Sequence, residues 1–171
     1  MTGNRGRPSR GRFCDPAVME ILIRPARDED RPAVLALAAR LAEGVASWRD
    51  PEAAVDAARQ WLDTSLDPAR ERRGEVFVAV ADEQQVVGVV SVNEQRHFTG
   101  AMEAYVGDLA VAPAAVRAGV GRRLMTAAED WARRQGLRHL TLETAAANTT
   151  AQRFYTALGY GEESIRYTRV L

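Results

Sequence analysis

Residues 109–124 read LAVAPAAVRAGVGRRL, and they give the strongest indication of the fold. A short apolar run ends at Pro113, a small loop containing Gly119 and Gly121 follows, and a helix-forming segment begins. The N-terminus of a helix leaves several backbone N–H groups without partners, and the aligned peptide dipoles favour negative charge there. The succession of strand, glycine loop and helix therefore predicts a binding site for a phosphate group.

The length and charge of the chain limit the classes of protein to which it can belong. With 171 residues it is large enough for one domain with a substantial core. Its 23 basic and 23 acidic residues balance, so the composition does not indicate a nucleic-acid or membrane partner, and we expect neither. A single cysteine, Cys14, excludes an intrachain disulfide and is typical of a cytoplasmic protein.

The first 18 residues differ in composition from the rest of the chain. They combine four arginines with glycine, proline and serine, and they contain one acid, Asp15. Such a composition cannot bury enough apolar surface to fold, and no apolar stretch follows the charges as a signal peptide requires. We therefore predict a disordered basic tail over residues 1–18 and a folded domain over residues 19–171. A tail that binds nucleic acid or an acidic partner is the alternative.

Hydrophobic periodicity predicts the element order β-α-α-β-β-β-α-β-α-β. The first helix is predicted to have Asp28 as its N-cap and to end near Gly44, the second begins with Pro51, and a charged loop follows over residues 68–74. The last two helices follow Gly119 and Asn148, and strands are predicted over residues 20–24, 76–80, 86–92, 103–111, 137–144 and 165–171. Three consecutive strands favour a single-domain α+β fold with a mixed sheet.

A second motif lies downstream of the phosphate loop. Its spacing is Asn148-x-x-Ala151-x-x-Phe154-Tyr155-x-x-Leu158-Gly159-Tyr160. A glycine pair before a helix is common and is weak evidence by itself, but the loop, this motif and the element order together resemble the GNAT superfamily of general N-acetyltransferases. The resemblance covers residues 19–171. It implies a mostly antiparallel central sheet, flanked by helices, whose splayed strands bind acyl-CoA.

The resemblance assigns the phosphate loop to acetyl-CoA, the expected co-substrate. Its glycines would let the anion approach and would permit unusual backbone angles. The family usually has glutamine or arginine at the position of Val116, a departure that removes a side-chain contact and leaves the backbone contacts. The Arg122 side chain, like that of Arg123, would either pair with a phosphate or stay solvated. The residues whose backbone would bind the pyrophosphate are Val116, Arg117, Ala118, Gly119, Val120, Gly121 and Arg122.

Further cofactor contacts are implied on both sides of that loop. By position, the backbone of Leu109, Ala110 and Val111 would pair with the amides of the pantetheine arm. Asn148 stands where the family often has a side chain that contacts the same arm, and it would equally serve as the N-cap of the following helix. No spacing of histidine, cysteine and carboxylate residues indicates a metal site, and we expect none.

Acetyl transfer to an amine needs two proton transfers, because the ammonium ion must lose a proton before attack and the departing thiolate must gain one. Tyr155 matches the family's tyrosine general acid, and a phenol with a pKa of about 10 suits a thiolate. The alternative for Tyr155 is a core position, since it belongs to an apolar stripe at helical spacing. Cys14 lies in the tail and no other nucleophile is evident, so we expect direct attack in a ternary complex.

The general base has several candidates. The family's glutamate on the strand before the loop corresponds here to Tyr105. Glu103 lies two residues earlier on the same face of the strand, and we predict it as the base, with an exposed strand-entry carboxylate as the alternative. Glu143, at the end of the following strand, is the next candidate. Asp108 is predicted on the opposite face from Glu103, in a structural role.

The sequence thus predicts an N-acetyltransferase whose acceptor is a small amine, an amino sugar or a peptide N-terminus. The acceptor region is expected over residues 41–73 and 95–105, where Trp48 and Trp61 either form aromatic walls for a cationic amine or belong to the core. A non-catalytic acyl-CoA sensor is the alternative function. A homodimer, formed by helix contacts or by exchange of the predicted strand 165–171, is also compatible with the sequence.

Overall fold

A computed structural model of the protein describes residues 20–67, 74–82 and 85–171. The predictions for the tail, including Cys14, and for residues 68–73 of the charged loop lie outside the described residues. Short 3-10 turns at Asp28–Asp30 and Pro113–Ala115 precede the first and fourth helices. The elements are, in chain order, β1 (Leu22–Pro25), α1 (Arg31–Leu35), α2 (Ala38–Leu41), α3 (Pro51–Ser65), β2 (Gly74–Ala81), β3 (Gln85–Arg96), β4 (Met102–Val111), α4 (Val120–Arg134), β5 (Leu140–Leu142) and α5 (Thr149–Leu158).

The strands of the described residues form one sheet in the order β1-β2-β3-β4-β5. The strands β1 to β4 pair antiparallel with their neighbours, and β5 pairs parallel with β4. A parallel pair needs a long crossover connection, and α4 supplies it between β4 and β5. The predicted α+β fold with a mixed, mostly antiparallel sheet is confirmed.

Helices cover both faces of this sheet. On one face, α4 buries Leu124, Met125 and Ala128 against strands β2 to β4. On the other face, α1 and α3 bury Val34 and Leu62. Truncating a buried leucine to alanine typically costs about 2 to 5 kcal/mol, so these two clusters hold the helices on the sheet.

The strand β4 contains a one-residue bulge. Ser91 of β3 pairs with Asp108, and the next residue, Val92, pairs with Val106, so Gly107 has no counterpart. In a regular strand successive side chains point to opposite faces, and an extra residue shifts that alternation by one position. Side chains before and after Gly107 that would otherwise face opposite sides therefore share a face.

A gap, called here the gap between β4 and β5, lies beside β4 beyond the point at which its pairing with β5 ends. The two strands pair only at Ala104 with Leu140, Tyr105 with Thr141 and Val106 with Leu142. From Gly107 to Val111, β4 continues with no strand on that side among the described residues. The gap begins at Gly107 and continues to Val111, before the loop that precedes α4, and the family resemblance implies splayed strands at this place.

Local capping explains where the longer helices begin. The carboxylate of Asp50 accepts a hydrogen bond from the backbone N–H of Glu52 at 2.9 Å, and Pro51 occupies the first position of α3. Asn148 likewise caps α5, accepting from the N–H of Ala151 at 3.0 Å. Both helix starts agree with the positions predicted from the sequence.

The segment after β1 differs from the prediction. Asp28 does not act as an N-cap, because the 3-10 turn begins at this residue and the carboxylate of Asp30 accepts from the N–H of Arg27 at 2.7 Å. The same carboxylate pairs with Arg24 at 2.6 Å, which fixes the turn against β1. The single helix predicted to end near Gly44 is divided into α1 and α2, since the last turn of α1 tightens into 3-10-type hydrogen bonds.

The final strand predicted over residues 165–171 is absent, and this prediction is wrong. These residues form no strand pairing, and the side chains of Ile165 and Tyr167 are 72% and 88% exposed. Arg166 lies 3.5 Å from Glu143, just after β5. The alternating pattern suits a strand, but a strand forms only beside a neighbour that completes its hydrogen bonds, and the described part of the chain supplies none there.

Candidate functional site

The loop before α4 has a backbone that ordinary residues rarely adopt. Gly119 has φ +78°, in the left-handed region, and a Cβ added there would meet no atom within 4 Å. Glycine is therefore favoured by the backbone angle and not by lack of space. Arg117 also has a positive φ, +71°, although it is not glycine. Strained backbone of this kind is concentrated at functional sites.

Five backbone N–H groups in the loop and the first turn of α4 have no backbone acceptor among the described residues. The N–H groups of Val116 and Ala118 bond weakly to preceding carbonyls, at 3.3 Å each. Within the described residues, the N–H groups of the others donate to no backbone carbonyl; these are Arg117, Gly119, Val120, Gly121 and Arg122. Together with the positive end of α4, this array is suited to an anion. It contains five of the seven residues predicted to bind a pyrophosphate.

Gly121, predicted to bind the pyrophosphate through its backbone, also has a role in helix packing. It lies in the first turn of α4 without a positive φ, and a Cβ there would stand 3.1 Å from the ring of Phe154. Glycine thus lets α5 pack closely on α4. The side chain of Arg122 is exposed and makes no ion pair among the described residues, so it is available to a ligand.

The N-terminal helices reach across the gap between β4 and β5. Arg40 of α2 donates from Nε to the carbonyl of Val111 at 2.9 Å and pairs with Glu43. The carbonyl of Glu43 accepts from the side chain of Asn148 at 3.4 Å, and a Cβ on Gly44 would clash with Asn148 at 2.7 Å. The end of α2 therefore links the two sides of the gap, and both polar groups of Asn148 have partners within the protein.

Tyr155 lies on α5 in an aromatic cluster. Its ring is 5.3 Å from that of Phe154 and 6.0 Å from that of Tyr160, centre to centre. Burial raises the pKa of the Tyr155 phenol to about 12. Its hydroxyl makes no hydrogen bond among the described residues, whereas that of Tyr160 donates to Glu129 at 3.0 Å. The Tyr155 hydroxyl is therefore protonated at neutral pH and lacks a competing partner.

Glu103 is buried and not, as the alternative had it, an exposed strand-entry residue. It is 6% exposed, and its Oε1 accepts from Gln95 Nε2 at 2.9 Å and from Thr141 Oγ1 at 3.2 Å. The three residues connect β3, β4 and β5 at the paired end of the gap. Both hydrogen bonds hold the carboxylate in place on the sheet.

Asp108 shares a face with Glu103, and the prediction of opposite faces is wrong. The bulge at Gly107 is the physical reason, because it adds one residue between them. Asp108 is 3% exposed, and its Oδ2 accepts from Ser91 Oγ at 2.6 Å and from Ser65 Oγ at 3.0 Å. Burial raises the pKa of its carboxyl, and the two serine hydrogen bonds oppose that rise. The isolated glycine within a strand pattern is the sequence signal that indicates such a bulge.

Tyr105, the residue at the family's glutamate position, lies between these acids. Burial raises the pKa of its phenol, and the negative charges of Glu143 and Asp108 raise it further, while Arg166 lowers it. The sheet face thus gathers Glu103, Tyr105 and Asp108 where β4 and β5 separate.

A cavity of about 320 Å³ lies beside this face. It lies between the turn before α1, the end of α3 and the strands β2 and β3, and its polar lining includes Asp28, Arg31, Ser65, Glu75, Ser91 and Asn93. Its size falls at the lower end of small-molecule pockets, about 300 to 1,000 Å³. The two tryptophans considered for the acceptor region are not core residues, since Trp48 is 56% and Trp61 63% exposed.

A metal site and a membrane-spanning helix are two further features for which the described residues give a clear result. Among residues 20–67, 74–82 and 85–171, no three or more histidine, cysteine, aspartate and glutamate side chains are grouped to hold a metal ion. In the same part of the chain, every helix is too short or too polar to cross a membrane.

The chain matches the Acetyltransferase (GNAT) family over residues 37–160. It belongs to that family. Two curated relatives are the aminoglycoside N(6')-acetyltransferase type 1 of Klebsiella aerogenes, 32% identical over 97 residues, and the uncharacterized N-acetyltransferase YhfO of Bacillus subtilis, 32% identical over 98 residues. These alignments cover 53% and 56% of this chain, and 62% and 66% of the relatives. The GNAT chain thus spans less than two thirds of the length of either relative.

Solved structures share this GNAT fold at low sequence identity. A Pyrococcus furiosus protein provisionally named an acetyl transferase has a TM-score of 0.72 at 19% identity, covering 89% of this chain and 100% of its own. The aminoglycoside N-acetyltransferase AAC(6')-Iy, in complex with CoA, has a TM-score of 0.66 at 19% identity, with 91% and 98% covered. AAC(6')-Ih from Acinetobacter baumannii has a TM-score of 0.64 at 18% identity, with 89% and 99% covered.

Proposed function

We propose that the protein is an acetyl-CoA-dependent N-acetyltransferase that acetylates a small-molecule primary amine by direct attack in a ternary complex. One observation carries the proposal: the backbone N–H groups at the start of α4 that have no backbone acceptor among the described residues follow in sequence the stretch of β4 that has no neighbouring strand. An elongated molecule with a charged pyrophosphate at one end and a neutral amide-containing arm fits such a site. Membership of the GNAT family supports the assignment.

In this proposal, different residues along the gap bind the cofactor and transfer protons. Acetyl-CoA, when bound, supplies the acetyl group as an activated thioester. The loop before α4 holds the pyrophosphate. The edge of β4 from Gly107 to Val111, which has no neighbouring strand among the described residues, hydrogen-bonds the pantetheine arm, although the Val111 carbonyl already accepts from Arg40. Tyr155 donates its phenolic proton to the departing sulfur, a role supported by its hydroxyl, which has no hydrogen-bond partner among the described residues and is protonated at neutral pH. Glu103, with two hydrogen bonds already on Oε1, is a weaker candidate for the base than its sequence position indicated.

The acceptor class rests on separate support. The relative from Klebsiella aerogenes acts, by its name, on an aminoglycoside, which is a polyamine sugar. Three carboxylates and two guanidinium groups line the cavity, and the excess of acidic groups would favour a cationic amine; these residues are Asp28, Asp67, Glu75, Arg27 and Arg31. We accordingly favour a small cationic amine or amino sugar over a peptide N-terminus.

A homodimer and a cytoplasmic location belong to the proposal as well. The outer edge of β5 and the exposed segment 165–171 are surfaces through which two copies could associate. Light scattering on the purified protein at micromolar concentration tests the dimer, and a monomeric mass would contradict it.

A thiol-release assay tests the function directly. Acetyl-CoA is offered with polyamines, aminoglycosides, amino acids and peptide N-termini, and CoA release is followed with a thiol reagent. We expect saturable release with at least one cationic small amine. CoA binding by calorimetry, combined with no release from any amine, would instead support a non-catalytic acyl-CoA sensor.

A further inference from the structure

The hydroxyl of Ser91 lies where three features of the molecule meet. It donates to Asp108 Oδ2 at 2.6 Å. It stands over the bulge, since a Cβ on Gly107 would come within 3.0 Å of it. The same serine lines the cavity between α3 and the strands β2 and β3. One hydroxyl therefore connects the closed end of the β4–β5 gap, a buried carboxylate and an opening for a small molecule.

The bulge at Gly107 creates this meeting point. The glycine is exposed and marks the residue at which β4 leaves β5. Because it has no side chain, the hydroxyl of Ser91 can occupy the space above it. An acyl group at the end of an arm lying along residues 107–111 would end beside this hydroxyl.

The burial of Asp108 is costly for a purely structural residue. A carboxylate taken out of water costs several kcal/mol unless a cation or strong hydrogen bonds offset the loss. Among the described residues Asp108 has no ion pair, and its hydrogen-bond donors are the neutral hydroxyls of Ser65 and Ser91. A carboxylate with neutral donors is well suited to accept a proton, since protonation removes the buried charge.

We propose that Ser91 receives the acceptor amine at the closed end of the gap and passes the ammonium proton to Asp108. This inference rests on the proposed acetyltransferase function and adds the path by which the amine is deprotonated. Ser91 is the residue that touches the substrate, and Asp108 is a positioning residue that acts through it. Ser65 holds the carboxylate from the side of α3.

The amine loses a proton before it attacks the thioester. The ammonium N–H donates to Ser91 Oγ, Ser91 gives its own proton to Asp108 Oδ2, and the carboxylate becomes a carboxylic acid. The neutral amine nitrogen then bonds to the thioester carbonyl carbon, the carbon–sulfur bond breaks, and sulfur keeps the electron pair. Tyr155 protonates that sulfur and regains a proton released by the new amide nitrogen through solvent. Asp108 returns its proton to water through the cavity, so each turnover releases one proton.

The ionisation of Asp108 should determine how kcat/KM depends on pH, and several ionisable groups lie near this carboxyl. Tyr105 and the buried carboxylate of Glu103 lie on the same face of β4, and the Tyr105 phenol has a raised pKa. The other ionisable groups that face the cavity are Arg27, Asp28, Arg31, Asp67 and Glu75. Because Asp108 must be ionised to accept a proton, kcat/KM should fall as pH decreases through its pKa.

Conservative variants test the assignment with the amine found in the thiol-release assay. We expect Asp108→Asn to lower kcat by about 100-fold or more, to leave the Kd for acetyl-CoA within threefold, and to remove the acidic limb of the kcat/KM profile. Ser91→Ala should lower kcat by at least about tenfold, and Ser91→Thr, which keeps the hydroxyl, should restore most of it. Asp130→Asn, an exposed carboxylate paired with Arg133 on α4, is the matched control and should behave like wild type.

The outcomes separate this inference from the proposed function. If wild type acetylates the amine and Asp108→Asn keeps kcat within threefold of wild type, the Ser91–Asp108 path is overturned. The acetyltransferase function would still be supported. A wild-type protein that binds acetyl-CoA and acetylates no amine would overturn the function itself, and the path with it. If circular dichroism shows that Asp108→Asn does not fold, the Ser91→Ala and Ser91→Thr pair decides, and equal activity of the two contradicts the path.

Discussion

At the scale of single residues, the two buried carboxylates of β4 have different surroundings. Glu103 is held by an amide and a threonine hydroxyl, while Asp108 is held by two serines beside a cavity. The hydroxyl of Tyr155, in contrast, has no partner among the described residues, which leaves it free for a ligand. These contacts favour Tyr155 as the proton donor and Asp108 as the proton acceptor of one reaction.

Replacing Tyr155 with phenylalanine removes a single hydroxyl from α5. We expect kcat to fall by about 100-fold or more, since general acid catalysis contributes about 10² to 10⁴-fold, while the Kd for acetyl-CoA changes less than threefold. Steady-state kinetics with the acetylated amine and calorimetry measure the two effects. Tyr167→Phe, at an exposed position in the C-terminal segment, is the control. Unchanged turnover in Tyr155→Phe would exclude this residue as the acid.

The charge of Asp30, in the turn before α1, contributes to stability. Arg24, hydrogen-bonded to Asp30, holds the pKa of that carboxyl below 3.8. Asp30→Asn leaves the partly buried guanidinium of Arg24 without its counter-ion. We expect a loss of about 2 kcal/mol in the free energy of unfolding, between the values typical of exposed and of buried ion pairs. Urea titration followed by tryptophan fluorescence measures it at pH 7. The exposed Glu29→Gln should change stability by less than about 0.5 kcal/mol.

The pH dependence of this effect has a definite sign. A carboxyl whose pKa is depressed by folding stabilises the protein while it is ionised, and that contribution is lost as pH falls through the folded-state value. The difference between wild type and Asp30→Asn should therefore be fully present above pH of about 3.8 and shrink below it. A difference that stayed constant down to pH 2 would contradict the ion-pair explanation.

At the scale of elements, the N-terminus of α4 combines strained backbone with free amides. Its other end offers a natural comparison, because Gly136, just after the helix, has φ +74° and also faces open space. The two glycines share their backbone conformation and differ in the groups around them. Gly121 is less useful as a probe, since any side chain there also pushes Phe154.

Aspartate introduced at these two positions separates strain from binding. Gly119→Asp and Gly136→Asp should each lose about 1 to 2 kcal/mol of stability from the positive φ. Only Gly119→Asp places a negative charge among the unpartnered N–H groups, so only this variant should weaken CoA binding, by about tenfold or more. Calorimetry measures both affinities. Equal CoA affinity in the two variants would place the pyrophosphate elsewhere.

Most elements could be predicted from the sequence, whereas the division of the first predicted helix, the bulge in β4 and the missing final strand could not. Periodicity and caps such as Asp50 and Asn148 predict helix positions because these signals are local. The bulge at Gly107 and the missing final strand depend on which strands lie side by side, which no local pattern specifies. The candidate site follows the same division, since the loop before α4 was predictable and the pairing of Ser91 with Asp108 was not.

At the scale of the whole molecule, the end of α2 connects both sides of the gap through Val111 and Asn148. A ligand lying in that gap would contact α2, β4, α4 and α5 together. Such a ligand binds only to the folded chain, because these elements are separated in the unfolded chain. Ligand binding should therefore raise global stability.

The size of that stabilisation can be calculated. At a CoA concentration 100 times its Kd, linkage gives about 2.7 kcal/mol, which raises the Tm of a domain of this size by about 5 to 10 °C. Differential scanning calorimetry measures the shift, with Gly119→Asp at the same CoA concentration as the control. The absence of a shift in wild type would contradict both the enzyme and the sensor assignments.

The bulge in β4 also affects how this chain must be compared with its relatives. Before Gly107, odd-numbered residues such as Glu103 face one side of the sheet; after it, even-numbered residues such as Asp108 face that same side. A relative without the extra residue, aligned without a gap from the glycine loop backward, would have every position upstream of 107 assigned to the wrong side. Transfer of acceptor-side residues between members of the family therefore requires this insertion to be located first, whereas the loop that begins α4 can be compared directly.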